Sequence, residues 1–399
     1  MRADIDKILA EKEAGALLLY SESFKDANMY YLTKFFAPDP FILLKRTDKQ
    51  STILVNPMEY VRAKQESIVK DVRSYADYNF FNIVKAAKQP QVGVMKFIAT
   101  VVEKEIGKKT LIAVPQSFPA LLLDSLRKQG LKIEPFFDLV EKARETKEPD
   151  EIKEMTAVQR ATEKATSKVI DEIANSQTEP NGSLTINVNG KRQPLTVGRV
   201  KALLGHVFID ENLVSEEIIV SCGPNSAIAH YFGEPDDRLM ANQPVIMDIF
   251  PVSLRKRYGT DMTRTVVKGK ASKELKKMYE TVLETRNAVL DNLHADVLGS
   301  DMYNLVCDIF EKAGYQTTRG GKQTEKGFTH GLGHGVGLSV HEGPGMGETY
   351  KFPLKEHAVV TVEPGLYDPK IGGIRIEDIV EVTKKGCSNL TKMPIQLEV

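Results

Sequence analysis

The sequence predicts two domains, an α/β domain followed by an α+β domain. The chain of 399 residues is longer than the roughly 100–200 residues usual for one domain. Its first third alternates short apolar runs with helical patterns, whereas the remainder runs from strands to helices and back to strands. Because the stretch K-A-R-E-T-K-E-P-D is charged and carries a proline suited to a first helical turn, we place a linker at residues 142–150. The predicted domains are residues 1–141 and 151–399.

The N-terminal domain has the short strands and helices of an α/β fold. Apolar runs at 16–20, 41–44, 52–55 and 111–114 have the length and composition of strands, and 59–66 and 120–128 have helical patterns. No G-x-G-x-x-G motif or P-loop follows any of these strands. The expected role of this domain is therefore structural or substrate-limiting rather than chemical.

The second domain begins with a long amphipathic helix that follows the linker. Apolar residues recur at roughly helical spacing at Ile152, Met155, Val158, Ala165, Val169 and Ile173. The runs at 184–188 and 194–197, with the dipeptide Asn189-Gly190 between them, indicate a hairpin. Strands are predicted at 217–221, 245–250, 263–267, 359–363 and 374–380, with helices at 272–293 and 300–312. This order predicts an antiparallel sheet covered by helices on one side.

Composition excludes several classes of function. Basic and acidic residues balance at 54 each, with no long block of one sign, so no nucleic-acid surface is expected. The three cysteines form no C-x-x-C pair, which argues against a disulfide framework or a cysteine zinc site. No secretory signal is evident, and no apolar run approaches the roughly 18 residues of a membrane span. A cytoplasmic protein without membrane contact is predicted.

Residues 328–342 gather three of the seven histidines into one glycine-rich run, F-T-H-G-L-G-H-G-V-G-L-S-V-H-E. Imidazole is both a common metal ligand and a proton carrier near neutral pH. His330, His334 and His341 therefore suggest a metal or proton-transfer site. A glycine loop with incidental histidines is the alternative, and other residues must decide between them.

Two aspartates in the second domain flank a predicted turn at 251–256. Asp248 ends the apolar run V-I-M-D, and Asp261 lies in Y-G-T-D-M-T-R-T. If the flanking strands pair, the two carboxylates approach each other and need a cation or a shared proton. Alternatively, Asp248 caps the turn and Asp261 pairs with Arg264.

Two glutamates, Glu363 and Glu377, lie in strand-like runs made otherwise of valine and isoleucine. An unpaired carboxylate there costs several kcal/mol or becomes neutral. Strand alternation places Arg375 on the same face as Glu377, so a simple Arg–Glu pair is one explanation. It leaves Glu363, Asp248 and His334 unexplained, whereas one dinuclear metal centre accounts for all of them. H-E-x-x-H is absent, because G-P-G follows His341 and Glu342.

These residues resemble a known family. The motifs M-D-I, D-M-T-R-T, G-H-G-V-G-L-x-V-H-E, V-E-P-G-L-Y and R-I-E-D occur in the order found in the pita-bread metallopeptidases, which include prolidase, aminopeptidase P and methionine aminopeptidase. The resemblance spans residues 150–399, and the first 140 residues look like the N-terminal domain of the creatinase and prolidase branch. It implies a creatinase/aminopeptidase (pita-bread) fold for the second domain. Phe250 departs from the family's usual glycine, and the turn before Asp261 is longer than usual.

The resemblance implies a site for two divalent metal ions, manganese, cobalt or iron, with zinc as a further option. The implied metal ligands are Asp248, Asp261, His334, Glu363 and Glu377. Glu363 would accept the proton of a metal-activated water, and His341 and His230 would act in catalysis and hold substrate. His330 would lie near the substrate, and Arg375 would orient a ligand carboxylate and contribute to substrate binding.

The implied activity is hydrolysis of the bond between an N-terminal residue and proline, by an Xaa-Pro aminopeptidase or dipeptidase using a hydroxide activated by two metals. The alternatives are a methionine aminopeptidase-like activity, a creatinase-like hydrolase and a non-catalytic protein-binding relative. The expected partner is a proline-containing peptide, with no nucleic acid and no membrane. By resemblance, a homodimer is predicted.

Overall fold

The structure is a computed structural model that describes residues 4–47 and 49–399. Two compact units divide the chain, Met1–Arg144 and Glu145–Val399. The first three residues, with which the predicted N-terminal domain begins, lie outside the described residues. The predicted linker, 142–150, falls on both sides of the division, since Glu141–Arg144 is a short helix and a long helix begins at Pro149.

The N-terminal unit is an α/β domain built on a six-stranded mixed sheet, as predicted. In sheet order the strands are Asp71–Ser74, Thr52–Val55, Phe41–Arg46, Ala16–Ser21, Ile112–Pro115 and Ile133–Phe136. Its helices are Asp4–Glu11, Ala27–Thr33, Tyr60–Glu66, Phe80–Lys85, Pro90–Glu105, Ala120–Lys128 and Glu141–Arg144, with 3-10 turns at Pro57–Glu59 and Tyr75–Tyr78. The central strands are apolar on both faces, which is typical of a sheet covered on both sides.

The second unit begins with the helix Pro149–Asn175, which confirms the predicted amphipathic helix. Proline stands in its first turn, and Glu148 and Glu151 form a reciprocal capping box. The hairpin that follows pairs Leu184–Val188 with Lys191–Pro194 through the Asn189-Gly190 turn, where both residues have positive φ. Its second strand was predicted wrongly at 194–197, because a two-residue turn brings the chain straight back into the pairing and a helix already begins at Val197. Further helices are Val197–Asp210, Lys273–Asn292 and Gly299–Lys312.

Two antiparallel sheets of this unit carry most of the site. One contains Ile219–Cys222, Pro244–Ile249 and Met262–Val267. The other contains, in order, Glu342–Met346, Gly333–Gly335, Val359–Val362, Asp378–Thr383 and Gly386–Asn389. Small ladders pair Leu213–Val214 with Val252–Ser253, Gly365–Asp368 with Gly372–Arg375, and Gln177–Thr178 with Leu184–Val188. This α+β architecture confirms the predicted class.

The predicted turn at 251–256 is wrong in extent. The strands Pro244–Ile249 and Met262–Val267 pair with Ile249 opposite Met262, so the whole of 250–261 connects them. The connection includes Val252–Ser253, which pairs with Leu213–Val214. The added strand has a partner distant in sequence, which explains why the connection is longer than a simple hairpin turn.

The predicted strand at 374–380 is interrupted. Gly372–Arg375 pairs with Gly365–Asp368, whereas Asp378–Thr383 pairs with Val359–Val362, and Ile376 and Glu377 lie between. The chain therefore changes sheets at Glu377. Similarly, Val359–Val362 ends one residue before Glu363. Both glutamates thus lie at strand ends, where a side chain can face a cavity.

Residues 393–399 run beside the strand Met262–Val267. Val267 N–H donates to the Leu397 carbonyl at 2.6 Å, and Val399 N–H donates to the Val267 carbonyl at 2.9 Å. The Arg264 side chain donates to the carbonyls of Met393 and Pro394. This segment therefore supports the strand that begins next to Asp261.

Within residues 4–47 and 49–399, none of the helices combines the length and the hydrophobicity that a membrane span requires.

Candidate metal centre

All nine predicted site residues line one cavity of about 430 Å³ in the second unit. They are Asp248, Asp261, His334, Glu363, Glu377, His230, His330, His341 and Arg375. An apolar wall completes the cavity, formed mainly by Ile219, Ala229, Phe232 and Phe250. Residues separated by more than 140 positions in sequence therefore meet at one site, as the metal-centre interpretation requires.

The two aspartates come from neighbouring antiparallel strands. Asp248 pairs in register with Thr263, and Asp261 directly precedes the strand Met262–Val267. Among the described residues, Asp248 Oδ1 and Asp261 Oδ1 are buried and have no hydrogen-bond partner. Buried carboxylate oxygens without a partner are costly unless a cation or a proton joins them.

The two glutamates face the same cavity from the ends of their strands. Thr361 Oγ1 donates to Glu363 Oε1 at 3.1 Å, and Thr263 Oγ1 donates to Glu377 Oε2 at 2.7 Å. Burial raises the pKa of Glu363 to about 8. Burial, and then repulsion from neighbouring carboxylates, also raises the pKa values of Asp261 and Glu377 well above their ordinary values.

His334 lies against this carboxylate cluster. Its Nε2 is 3.4 Å from Glu363 Oε1 and 3.7 Å from Asp261 Oδ2. Its Nδ1 lies 3.1 Å from the Gly335 carbonyl, which assigns the ring proton to Nδ1 and leaves the Nε2 lone pair facing the carboxylates. Burial, together with the nearby His341, lowers the pKa of His334 to about 4, so the ring is neutral at pH 7.

This donor set fits a divalent cation. One ligand atom from each of Asp261, His334 and Glu377 lies within 4.8 Å of the other two. The cluster combines a neutral imidazole nitrogen with buried carboxylates whose mutual repulsion a cation would relieve. Asp248 and Glu363 add two further carboxylates in the same cavity, which gives an oxygen-rich donor set of the kind found at two-metal sites.

Arg375 does not pair directly with Glu377, in contrast to the simple Arg–Glu explanation. Its guanidinium donates to Asp248 Oδ2 at 2.7 Å, to the Tyr367 hydroxyl at 2.8 Å and to Thr263 Oγ1 at 3.1 Å. Strand alternation correctly placed both side chains towards the same cavity, where the Thr263 hydroxyl contacts each of them. Nor does Arg264 pair with Asp261, because its guanidinium binds Asp378.

The three other histidines border the cavity at different depths. The His341 ring centroid is 4.1 Å from that of His334. His330 Nε2 lies 2.9 Å from the Tyr367 hydroxyl, and burial, with the charge of Arg375, lowers the pKa of His330 to about 3. His230 follows the 3-10 turn Gly223–Ala227 and is exposed. All three line the cavity.

The sequence reasoning missed three hydroxyl groups that organise the charged residues. Tyr367 contacts Arg375 and His330, and Thr263 bridges Arg375 and Glu377. Thr361 accepts from the His334 backbone N–H at 3.0 Å while donating to Glu363. Thr361 lies two residues before Glu363 and Thr263 two after Asp261, so alternation along strands was the available signal.

Two glycines of the histidine run pack closely against the backbone of neighbouring strands. A Cβ on Gly333 would collide with the carbonyl of Thr361, and one on Gly335 with the carbonyl of Gly343. These glycines therefore let the short strand Gly333–Gly335 fit between its two neighbours.

Comparisons with known proteins agree with this geometry. Residues 153–384 match the model of metallopeptidase family M24, and residues 1–146 match the creatinase/prolidase N-terminal domain. Xaa-Pro dipeptidases from Pyrococcus horikoshii and Pyrococcus furiosus are 27% and 26% identical, with each alignment covering 94% of this chain and 92% and 93% of those proteins.

Solved structures show the same fold over nearly the full chain. The prolidase from Pyrococcus horikoshii superimposes with a TM-score of 0.77 at 25% identity, covering 98% of each chain. An Xaa-Pro dipeptidase from Bacillus anthracis has a TM-score of 0.80 at 24% identity, covering 99% of each chain, and supports the fold alone. With its family match covering more than half of the sequence, the chain belongs to metallopeptidase family M24 and carries a creatinase/prolidase N-terminal domain.

Proposed function

We propose that this protein hydrolyses the peptide bond between an N-terminal residue and proline. The observation that carries the proposal is the convergence of four carboxylates, four histidines and Arg375 on one cavity of a metallopeptidase fold. Relatives named Xaa-Pro dipeptidase, which align over nearly the whole chain, support the substrate class. A cavity of about 430 Å³ has room for a small peptide substrate.

Two divalent ions are the proposed cofactor, manganese, cobalt or iron, with zinc as an alternative. Asp261 and Glu377 would bind both ions, Asp248 would complete one, and His334 with Glu363 would complete the other. When bound, the ions supply Lewis-acid polarisation of the substrate carbonyl and a water of lowered pKa. The neutral His334 and the hydroxyl-anchored Glu363 and Glu377 are consistent with this assignment.

The remaining side chains would handle the proton and the substrate. Glu363 would take a proton from the attacking water and pass it towards the departing amine. His341 and His230 would donate to the substrate carbonyl as charge develops there, and His330 would contact the proline side of the substrate. Arg375, which holds Asp248 and Tyr367, would keep Asp248 in its binding orientation.

Three alternatives make different predictions. A methionine aminopeptidase-like enzyme would prefer Met-Xaa peptides, although simple members lack the N-terminal domain matched here. A creatinase-like hydrolase would need no metal, and a non-catalytic relative would need no carboxylate cluster. The buried cluster of mutually repelling carboxylates favours the metal-dependent enzyme over both of the latter.

The direct test is a substrate panel with metal-loaded protein. Purified protein supplied with manganese or cobalt is expected to cleave Xaa-Pro peptides, and Glu363→Ala is expected to lower kcat by about 10²–10⁴-fold. Glu381→Gln is a matched control, because Glu381 lies in the neighbouring strand Asp378–Thr383 and pairs with the exposed His357. Absence of turnover on every Xaa-Pro and Met-Xaa peptide would refute the enzyme assignment.

The same panel distinguishes a dipeptidase from an aminopeptidase. A dipeptidase cleaves Xaa-Pro dipeptides but not longer Xaa-Pro peptides, whereas an aminopeptidase cleaves both.

The homodimer and the cytoplasmic location stay predictions, and sedimentation of the purified protein would test the first.

A further inference from the structure

The segment from Gly337 to Glu342 connects the strand that carries His334 to the next strand of the sheet. Residues 337–341, all of which the structure describes, have no regular secondary structure, and Glu342 is the first residue of the strand Glu342–Met346. His341, the residue before that strand, places its ring against His334 at the edge of the cavity. The conformation of this segment therefore determines where the His341 imidazole points.

A buried ion pair lies at the base of the segment. Lys147 Nζ is 2.8 Å from Glu342 Oε1, and the two side chains are only 2% and 7% exposed. Lys147 is itself fixed, because its N–H donates to the His357 carbonyl at 2.8 Å and Thr146 bridges to Ala358. The second Glu342 oxygen accepts the Ser339 N–H at 3.3 Å. The lysine is thus tied to the His341 segment through Glu342.

Gly337 shows how tightly the segment fits around this pair. A Cβ at Gly337 would collide with Glu342 Oε1 and press on Lys147 Cε. The Gly337 carbonyl accepts the Gly259 N–H at 2.7 Å, and its N–H donates to the Ser339 carbonyl at 3.1 Å. Gly259 lies two residues before Asp261, so the segment is held on both sides.

Energetics argue against simple stabilisation as the role of the pair. Removing two charges from water costs several kcal/mol per ion, and apolar residues of similar size often stabilise as well or better. Breaking one partner, in contrast, leaves a buried charge that forces the surroundings to rearrange. The segment that must rearrange here is the one that carries His341.

We propose that Lys147 is a positioning residue for the reaction, acting through Glu342 to hold the 337–342 segment so that His341 faces the substrate. This proposal rests on the proposed function. Lys147 does not line the cavity, so its effect on turnover passes through the placement of His341. A misplacement of about 1 Å in such a group can cost about 10²-fold in rate.

The kinetic test compares Lys147→Met with a matched surface control. Lys147→Met is expected to lower kcat/KM for an Xaa-Pro dipeptide by about 10- to 100-fold, chiefly through kcat. Lys355→Met removes a lysine of the same kind from a more exposed pair with Glu145 and is expected to leave kcat/KM unchanged. In a His341→Ala background, Lys147→Met is expected to cost less than threefold, because the group it positions is already gone.

A second readout needs no substrate and no metal. The imidazole C–H resonance of His341 in the metal-free protein is identified as the signal missing from His341→Ala. It is expected to shift in Lys147→Met and to stay in place in Lys355→Met. Gly337→Ala, which keeps both charges but displaces the pair, is expected to shift it as well. This arm separates failure of the positioning proposal from failure of the proposed activity.

The results that overturn the proposal are equally specific. An unshifted His341 resonance in both Lys147→Met and Gly337→Ala would show that the pair does not place the ring. A full 10- to 100-fold loss on adding Lys147→Met to His341→Ala would show that the lysine acts by another route. If Lys147→Met does not fold, Gly337→Ala carries both measurements.

Discussion

Glu377 and Asp378 are neighbours in the chain and are almost completely buried, yet their charges are handled in opposite ways. Asp378 Oδ1 accepts from Arg264 at 2.9 Å, and its Oδ2 accepts from Arg286 Nε at 2.7 Å and from Asn389 at 3.0 Å. Glu377 accepts from the Thr263 hydroxyl and lies among other carboxylates, which help to raise its pKa. One peptide bond separates a carboxylate neutralised by the protein from one that is not.

The comparison separates structural charge from functional charge. Around Asp378, the protein supplies two guanidinium groups, so the charge is satisfied by folding alone. In the cavity, four carboxylates share Arg375 and the hydroxyls of Thr263 and Thr361. A cluster with this excess of negative charge is stable when ionised only if further positive charge arrives from outside. That is the physical content of calling the site a metal centre.

The largest expected effect comes from neutralising Glu377, the carboxylate that no arginine pairs with directly. Glu377→Gln is expected to reduce turnover of an Xaa-Pro dipeptide by at least about 10³-fold, because the residue proposed to bind both ions is lost. The free energy of unfolding of the metal-free protein is expected to stay the same or rise, since a carboxyl group that burial and neighbouring carboxylates disfavour is removed. Steady-state kinetics and denaturant unfolding measure the two. A metal-free variant that is clearly destabilised would contradict the comparison.

Neutralising Asp378, which two arginines bind, is expected to reduce stability, in contrast to Glu377→Gln. Asp378→Asn leaves Arg264 and Arg286 without their buried partner and is expected to lower the free energy of unfolding by about 3–5 kcal/mol. Denaturant unfolding of the metal-free protein measures the loss, with Glu381→Gln in the same strand as a control expected to cost under about 1 kcal/mol. A loss equal to that of the control would show that the guanidinium groups do not depend on Asp378.

The smallest expected effect is a pH dependence of the free energy of unfolding that comes from the carboxyl groups of the cavity. The folded state holds the Glu363 proton up to a pKa of about 8, against an ordinary value of 4.5, so its contribution to stability falls as pH rises between those values. His334 and His330 have lowered pKa values, so they make the free energy of unfolding rise with pH, but only below their ordinary pKa of 6.5. Between pH 6.5 and 8 the metal-free protein should lose about 1.4 kcal/mol per pH unit from Glu363.

Unfolding curves with and without manganese test this slope. A bound divalent cation favours the ionised carboxylates, so manganese is expected to flatten or reverse the fall in stability. Glu363→Gln is expected to make the fall in the free energy of unfolding of the metal-free protein shallower by about 1.4 kcal/mol per pH unit, the value for one proton. A metal-free protein whose stability is constant from pH 6.5 to 8 would contradict the raised carboxyl pKa values.

The fold was largely predictable because its elements have local signals. The helix Pro149–Asn175 follows a charged stretch with a proline in its first turn, and the 189–190 turn carries Asn-Gly. What local patterns could not reveal was pairing with distant segments. The Val252–Ser253 strand exists through Leu213–Val214, and the break at 376–377 exists because two sheets compete for one run of residues.

The site was predictable as a set of residues but not as a set of contacts. The nine residues predicted from the motifs all line the cavity, and the role of each stays a prediction. The alternative in which Arg375 pairs with Glu377 is not what the structure has, because strand register alone cannot show that the guanidinium donates to Asp248 instead. Single hydroxyls such as Tyr367 carry no spacing signal, so their part in the network emerged only from the structure.

The backbone of residues 393–399 has a practical consequence for handling the protein. Arg264, which binds Asp378 and the Glu377 carbonyl, also donates hydrogen bonds to the Met393 and Pro394 carbonyls. Proteolytic trimming of this segment would expose the guanidinium that anchors the Glu377–Asp378 corner and would unpair the strand following Asp261. Cleavage of the chain within 393–399, at a distance in sequence from every proposed ligand, would thus inactivate the enzyme.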